Sequence, residues 1–243
     1  RSRPALVFGA AQAVGGSPAQ AEAAAIAVEL IHCYSLVHDD LPCMDDDELR
    51  RGVPTCHKAF DEATALLAGD TLQALAFTVV ADSGLAAAEL AEQIRVLAAA
   101  SADMAVGQAL DLAGEGQSLS LQALEQIHCH KTGALIRASV ALGAIAGGAD
   151  TASRQALDVF ADRLGLAFQV HDDVLDVIGD TQRIGKKSGA DAALGKSTYP
   201  ALLGLAEAQA LAARLHDEAV AALAPLGDAA DPLRELADFL VAR

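Results

Sequence analysis

The stretch His171-Asp172-Asp173-Val174-Leu175-Asp176 lies inside an apolar run, residues 165–178, that reads GLAFQVHDDVLDVI. Asp172 and Asp176 are four residues apart, so on a helix they project from one face, one turn above each other. A carboxylate among Leu, Phe, Val and Ile side chains is costly unless a positive charge neutralises it. The stretch therefore predicts a helix that presents carboxylates to a cation.

A second acidic cluster, HDDLPCMDDD, occupies residues 38–47, far upstream. Apolar residues at helical spacing over residues 23–37 predict a helix that ends at this cluster, and Ser17 followed by Pro18 is a typical helix start. The C-terminus of a helix disfavours negative charge, so the placement of Asp39 and Asp40 is a local conflict of the kind that often marks function. Two such clusters predict one shared site for a hard cation.

The composition is that of a helical protein. Among 243 residues, 53% are hydrophobic, mostly Ala and Leu, while aromatic residues make up 3%. This length allows one large domain or at most two, and Ala and Leu are strong helix formers. Period-2 alternation typical of strands is absent. The sequence therefore predicts an all-α fold, with residues 1–243 forming a single helical domain.

The charge balance argues against nucleic-acid binding, and the apolar pattern argues against a membrane span. Acidic residues number 33 and basic residues 17, which gives a net charge of −16 and argues against a nucleic-acid-binding protein. No run of 18 or more apolar residues is free of charge, so we expect no membrane span. The four cysteines have no CxxC spacing, which favours reduced thiols and a cytoplasmic location.

Punctuating residues divide the chain into predicted helices joined by polar loops. We expect a short helix over residues 4–14 and a polar, lysine-rich loop over residues 179–195. The remaining predicted helices are residues 61–81, 86–112, one beginning at Ser120 or Ser118, one from Thr151 or Ser153 to the second acidic motif, and amphipathic helices over 197–223 and 231–241.

The two acidic clusters suit magnesium and a phosphorylated ligand. Mg²⁺ prefers oxygen ligands and is typically bound by one or two carboxylates together with substrate phosphates. Basic side chains that would suit phosphate oxygens are Arg50, Arg51, Lys131, Lys186 and Lys196. Acidic and basic clusters around apolar helices therefore predict an apolar pocket with a magnesium and diphosphate site at its mouth.

Over almost its whole length the chain resembles the short-chain trans-isoprenyl diphosphate synthases, most closely the bacterial members that form farnesyl diphosphate. The resemblance rests on Arg3-Pro4, Ile31-His32, residues 34–56 (YSLVHDDLPCMDDDELRRGVPTC), 67–70 (LAGD), 107–111 (GQALD), 130–135 (HKTGAL), 168–173 (FQVHDD) and 195–200 (GKSTYP). It implies an all-α helical bundle around a deep central cavity, assembled as a cytoplasmic homodimer. It also implies a further N-terminal helix, with the lysine that binds isopentenyl diphosphate, before Arg1.

The resemblance also implies a role for each matching residue. Mg²⁺, three ions per site, would be bound by Asp39, Asp45 and Asp172, with Asp40, Asp173 and Asp176 in support. The allylic diphosphate would be held by Arg50, Lys131, Lys186 and Lys196. The developing allylic cation would lie beside Lys131, Thr132 and Gln169, and isopentenyl diphosphate beside Arg3, His32 and Arg51. The implied reaction is magnesium-assisted loss of diphosphate, attack by the isopentenyl double bond, and loss of a proton.

Tyr34 is the predicted determinant of product length, with Ser35 beside it. Tyr34 lies five residues before Asp39, roughly 7.5 Å along the same helix. Its ring would therefore form the wall of the pocket below the metal ions and stop the growing prenyl tail. The resemblance connects an aromatic residue here with a C15 product, so we expect farnesyl diphosphate.

Other functions remain open at the level of sequence. A geranylgeranyl or geranyl diphosphate synthase would differ from this expectation only in product length. A class I terpene cyclase shares the first acidic motif, although its second motif normally includes Asn, Ser or Thr, and Glu. A non-catalytic synthase subunit and a simple acidic binder of divalent cations are the alternatives from another class, and two intact acidic motifs argue against the subunit.

Overall fold

Helices make up most of the computed structural model, which describes residues 1–178 and 197–241. In chain order they are α1 (Ser2–Ala13), α2 (Pro18–Asp39), α3 (Cys56–Ala59), α4 (Glu62–Ala81), α5 (Ala87–Gly114), α6 (Leu121–His128), α7 (Ala134–Ala146), α8 (Thr151–Ile178), α9 (Tyr199–Leu203), α10 (Leu205–Ala222) and α11 (Asp231–Val241). A π-helical turn, Cys129–Gly133, joins α6 to α7, and a 3₁₀ segment, Ala224–Ala230, joins α10 to α11. The predicted all-α fold class is confirmed.

Capping residues set the starts of several helices. Gln20 Oε1 accepts hydrogen bonds from the backbone N–H and the hydroxyl of Ser17, at 2.8 and 2.9 Å, and Pro18 occupies the first position of α2. At α4 and α6 the cap side chains accept instead: Asp61 accepts the backbone N–H of Thr64, and Ser120 accepts that of Ala123. At each of the three starts a side chain thus satisfies a backbone N–H that has no partner in the helical hydrogen-bond ladder. These three predicted starts are confirmed.

Two details differ from the expectations for secondary structure. Residues 49–50 and 53–54 pair as a short antiparallel hairpin, β1 (Leu49–Arg50) and β2 (Val53–Pro54), where no strand was expected. Strands of two residues are too short to carry an alternating pattern. The turn between them places Arg51 and Gly52 at positive φ, as tight hairpins require. The helix expected over residues 197–223 is interrupted at Gly204, whose φ is +86°.

Helix α7 occupies the centre of the bundle. Eleven of its thirteen residues are buried. Leu135 and Leu142 pack with α2, α4 and α5, while Ile136 and Val140 pack with α1, α8, α10 and α11. The helix therefore belongs to both main apolar cores.

A close approach between α1 and α7 depends on a glycine. A Cβ atom at Gly143 would lie 2.2 Å from the carbonyl oxygen of Val7, which no side chain could avoid without moving the backbone. Gly143 thus lets the central helix contact α1 directly.

Helices α4 and α5 present apolar side chains to solvent. Leu66, Leu67 and Leu75 of α4 are exposed, as are Val106 and Leu110 of α5. Both helices are long and apolar enough to cross a membrane by length and composition alone, so the expectation of no membrane span is not confirmed. Core helices of soluble proteins meet the same criterion, which makes this weak support for a span.

Candidate functional site

The loop after α2 folds the first acidic motif back on itself. The backbone N–H of Asp45 donates to the carbonyl oxygen of Asp39 at 2.9 Å, and the N–H of Asp46 donates to the carbonyl oxygen of Leu41 at 3.2 Å. Asp46 adopts a positive φ of 49° within this turn. The loop therefore returns Asp45 to the end of α2, beside Asp39.

The carboxyl group of Asp39 lies in an environment that disfavours its charge. Burial raises the pKa of Asp39 to about 6; Lys131 opposes the rise, and the nearby charge of Asp45 adds to it. A divalent cation between these carboxylates would remove the repulsion and compensate for the lost water. The arrangement fits a cation ligand better than a solvated surface acid.

Asp40 pairs with Arg50. Its carboxylate is 3% exposed and accepts the Nε–H of Arg50 at 2.8 and 2.9 Å and an Nη2–H at 2.5 Å. Such paired, charge-assisted hydrogen bonds fix a guanidinium in position. Asp40 thus holds the first residue of the Arg50-Arg51 pair beside the acidic loop.

The π-helical turn carries Lys131 and Thr132 into the site. A Cβ atom at Gly107 would lie 2.2 Å from the backbone nitrogen of Lys131, so α5 touches the turn through bare backbone. The ammonium group of Lys131 donates to Asp111 Oδ2 at 2.5 Å. Turns of this kind, inserted into α-helical segments, occur frequently at functional sites.

The second acidic motif lies on α8, as predicted, with its residues facing different neighbours. Asp172 is exposed at the wall of a cavity that Lys131 and Thr132 also line. Asp173 is buried, and its Oδ2 accepts the backbone N–H of Tyr199 at 3.0 Å. Asp173 therefore anchors the start of α9, while Asp172 faces the cavity. Asp176 lies one turn further along α8.

Four side chains at the site were not assigned a role from the sequence. Gln108 Nε2 donates to Asp45 Oδ1 at 3.1 Å, and Asp111 binds Lys131, so both face functional residues. His128 Nδ1 lies 3.1 Å from Gln169 Nε2, and its ring stacks on Tyr199 with 5.6 Å between centroids. The GQALD sequence was a signal for the first pair, because Gln108 and Asp111 share a helical face.

Two cavities meet at Lys131. The first, about 230 Å³, is polar and lies between α5, α6, the π-helical turn and α8; its lining includes Asp111, Lys131, Thr132, Gln169 and Asp172. The second, about 220 Å³, is mainly apolar, and its lining includes Tyr34, Ser35, Asp39, Met104 and Lys131. The polar cavity, which has acidic and basic residues in its lining, thus opens beside the apolar cavity, whose wall includes Tyr34.

A separate cluster of positive charge forms near the start of α1. Burial, together with the charges of Arg3 and Arg51, lowers the pKa of His32 to about 3, so this imidazole is neutral at physiological pH. Burial also lowers the pKa of Arg3 to about 10. The three predicted isopentenyl diphosphate residues, Arg3, His32 and Arg51, are therefore close enough to influence one another's charge.

The carboxylates suit magnesium through their chemistry. Within residues 1–178 and 197–241, no group of three or more His, Cys, Asp or Glu side chains is arranged to hold a metal ion. Mg²⁺ commonly uses one or two carboxylates and completes its shell with water and substrate phosphates. Asp39, with its raised pKa and its neighbour Asp45, is a donor pair of this kind, and Asp172 offers a further oxygen donor on α8.

Most of the predicted residues thus fall into three groups: the acidic loop with Arg50, the polar cavity, and the cluster of His32 with Arg3 and Arg51. Tyr34 and Ser35 line the apolar cavity as expected. Lys186 and Lys196 lie outside the described residues.

The fold and the site define a family. Residues 1–224 match the model of the polyprenyl synthetase family, and the chain belongs to that family. The predicted resemblance is confirmed. The chain is 52% identical over 255 residues to the farnesyl diphosphate synthase of Escherichia coli strain K12, an alignment that covers 100% of this chain and 84% of that protein.

Solved structures agree on the architecture. A geranylgeranyl pyrophosphate synthetase from Pyrococcus horikoshii has a TM-score of 0.93 and 34% identity, over 99% of this chain and 85% of that one. A geranyltransferase from Helicobacter pylori, solved with magnesium and isoprenyl diphosphate, has a TM-score of 0.86 and 37% identity, over 100% of this chain and 82% of that one.

Proposed function

We propose that this chain is a prenyltransferase that condenses isopentenyl diphosphate with dimethylallyl and geranyl diphosphate to give farnesyl diphosphate. The observation that carries the proposal is the junction at Lys131 of a polar cavity, lined by acids, with an apolar cavity. The diphosphate would occupy the first and the prenyl tail the second. The similarity to farnesyl diphosphate synthases at about half identity supports the same reaction.

The residues divide the chemistry between them. Asp39, Asp45 and Asp172 would hold Mg²⁺, three ions per site, which neutralises charge on the diphosphate as it leaves. Arg50, Lys131, Lys186 and Lys196 bind the allylic diphosphate. The oxygens of Thr132 and Gln169 lie beside the positive carbon that forms when the carbon–oxygen bond breaks. Arg3, His32 and Arg51 hold isopentenyl diphosphate, whose double bond attacks that carbon before a proton is lost.

Product length follows from the apolar cavity. Tyr34 lies on its wall with Ser35, and a prenyl tail that grows from the polar cavity meets the phenol ring. A ring in this place limits the tail to 15 carbons. Geranyl or geranylgeranyl diphosphate as product is the nearest alternative, and a geranylgeranyl pyrophosphate synthetase shares the fold.

A turnover assay tests the proposal directly. The purified chain is incubated with Mg²⁺, isopentenyl diphosphate and either dimethylallyl or geranyl diphosphate, and the products are separated by length after dephosphorylation. We expect farnesol from both substrates and no activity after chelation of magnesium. Longer or shorter alcohols support the alternative synthases, and cyclic hydrocarbons a terpene cyclase. Absence of any product, alone or with an added synthase subunit, contradicts the enzyme proposal.

Assembly and location belong to the same proposal. The exposed leucines of α4 and the exposed valine and leucine of α5 form an apolar surface that a second copy of the chain would cover. We therefore propose a homodimer through α4 and α5, and a cytoplasmic enzyme without a membrane span. Burial of an apolar surface between copies is the usual basis of stable homodimers.

A further inference from the structure

The ring of Tyr34 has two neighbours that can hold it: His38, which also lines the apolar cavity, and Gln73, which does not. His38, one turn further along α2, packs edge-on against it, with 5.9 Å between ring centroids and 77° between ring planes. Burial raises the pKa of the Tyr34 hydroxyl, and the Gln73 side chain, acting as a hydrogen-bond partner of that hydroxyl, opposes the rise. The ring thus makes an edge-on contact with His38, and its hydroxyl faces the Gln73 side chain of α4.

His38 is in turn fixed by the backbone of α4. Its Nε2 lies 2.9 Å from the carbonyl oxygen of Leu66. A carbonyl oxygen can only accept, so Nε2 carries the proton and donates it. The exposed carboxylate of Asp70 lies 4.0 Å from the same nitrogen. Because this contact joins α2 to α4, the position of the imidazole depends on how the two helices pack.

Gly69 makes this arrangement possible. A Cβ atom at Gly69 would lie 2.0 Å from Nε2 and 2.3 Å from Cδ2 of His38. Any side chain at this position would therefore displace the imidazole. Leu66, Gly69 and Gln73 follow each other at intervals of three and four residues, so they share one face of α4. None of these three is among the residues that line the apolar cavity.

We propose that this face of α4 determines product length by clamping Tyr34, with Leu66 and Gly69 acting through His38 and Gln73 acting directly. These are positioning residues, because Leu66 and Gly69 contact His38, Gln73 faces Tyr34, and none of the three lines the cavity. If the clamp loosens, the phenol ring can turn away and the cavity extends by one isoprene unit. The inference rests on the proposed function, since it requires that Tyr34 is the stop.

Substitutions on α4 test the clamp at residues that do not themselves line the apolar cavity, although Gly69→Ala also moves His38, which does. Gly69→Ala displaces His38, Gln73→Ala removes the partner of the hydroxyl, and Thr71→Ala, on an exposed part of the same helix, is the matched control. Each variant is assayed with geranyl and isopentenyl diphosphate, and the ratio of C20 to C15 products is measured. We expect the ratio to rise about fivefold in the first two variants, as the loss of one hydrogen bond would allow, and to stay unchanged in Thr71→Ala.

A second comparison does not depend on the folding of Gly69→Ala. Tyr34→Phe keeps the ring and deletes the hydroxyl, so it should raise the C20 to C15 ratio as much as Gln73→Ala. The double variant should show no further rise, because both changes remove one contact. Additive effects, or an unchanged ratio in Gln73→Ala and Tyr34→Phe, would overturn the clamp.

Tyr34→Ala separates failure of the inference from failure of the proposed function. Suppose that Tyr34→Ala lengthens the product while Gln73→Ala and Tyr34→Phe keep the wild-type pattern. Tyr34 then limits product length as proposed, but the α4 face does not control its position. If Tyr34→Ala still gives only C15 product, both the stop and the clamp are wrong. If the wild-type chain forms no prenyl diphosphate, the proposed reaction itself fails and the inference with it.

Discussion

At the scale of single residues, Asp39 is a position where the requirements of stability and of function conflict. Burial gives it a pKa of about 6 in the folded chain, above its ordinary value of 3.8. A raised pKa in the folded state means that this group stabilises the fold at low pH, and that the contribution is lost as the pH rises through about 6. In the metal-free enzyme near neutral pH, the charged carboxylate therefore destabilises the protein.

Asp39→Asn should consequently raise the thermal unfolding midpoint of the metal-free protein at about pH 7.5, and the gain should shrink as the pH falls towards about 4. Prenyl transfer by the same variant should fall by about 10² or more, since a charged ligand of the site is lost. Calorimetry in the presence of a chelator, across this pH range, checks the first expectation. A variant that is less stable than the wild type at pH 7.5 would contradict it.

A second residue-scale prediction compares the two carboxylates that face Arg50. Asp40 is buried and makes three short contacts, whereas Asp47 is half exposed and lies 3.5 Å from the guanidinium. Asp40→Asn should lower the free energy of unfolding by about 1–3 kcal/mol, and Asp47→Asn by less than about 1 kcal/mol. Urea denaturation of both variants measures the difference. Equal losses of unfolding free energy in the two variants would mean that burial of the Asp40–Arg50 pair contributes nothing to stability.

The partnerships among site residues were the least predictable part of the sequence. Motif and resemblance predicted Asp39, Asp45, Asp172 and Lys131 as site residues. The pairing of Lys131 with Asp111, and of Gln108 with Asp45, depends on how α5 packs against the acidic loop and the π-helical turn. The GQALD sequence indicates that Gln108 and Asp111 share a helical face, but packing between distant segments leaves no local signal of which residues they pair with.

At the scale of elements, the helices that carry their own start signals were predicted well. The information for these starts is local. The capping hydrogen bonds at Ser17 (followed by Pro18), Asp61 and Ser120 each join two residues that are three positions apart. The π-helical turn had no such signal. Nothing in its residues, CHKTG, distinguishes a π-helical turn from another turn, and its shape depends on the bare backbone of Gly107 in another helix.

Gly107→Ala tests that dependence. The added Cβ would meet the backbone of Lys131, so we expect a loss of about 1–3 kcal/mol of stability and a fall in turnover as Lys131 moves. Gly165→Ala is the control, because its Cβ would lie 3.4 Å from Gly133 Cα, an ordinary contact. That variant should be at least as stable as the wild type, since alanine favours helix by about 1 kcal/mol. Equal behaviour of the two variants in unfolding and activity assays would contradict the account.

At the scale of the whole molecule, the exposed face of α4 and α5 makes the oligomeric state testable. Leu67 of α4 is 63% exposed, and Leu67→Glu would place a charge in the proposed interface. Sedimentation velocity should show a dimer for the wild type and a monomer for this variant. Val159→Glu, a similarly exposed apolar residue on α8, should remain a dimer. A wild-type monomer, or recovery of the chain only with membranes, would overturn the dimer and favour the membrane alternative.

The central position of α7 has a consequence for how the chain unfolds. Because its two faces belong to different apolar cores, neither core can open without exposing one side of the same helix. The two halves of the bundle are therefore coupled, and partial unfolding of one side removes support from the other. Backbone amide protons in α7 should then exchange with solvent only when the whole bundle opens, at a rate set by global stability.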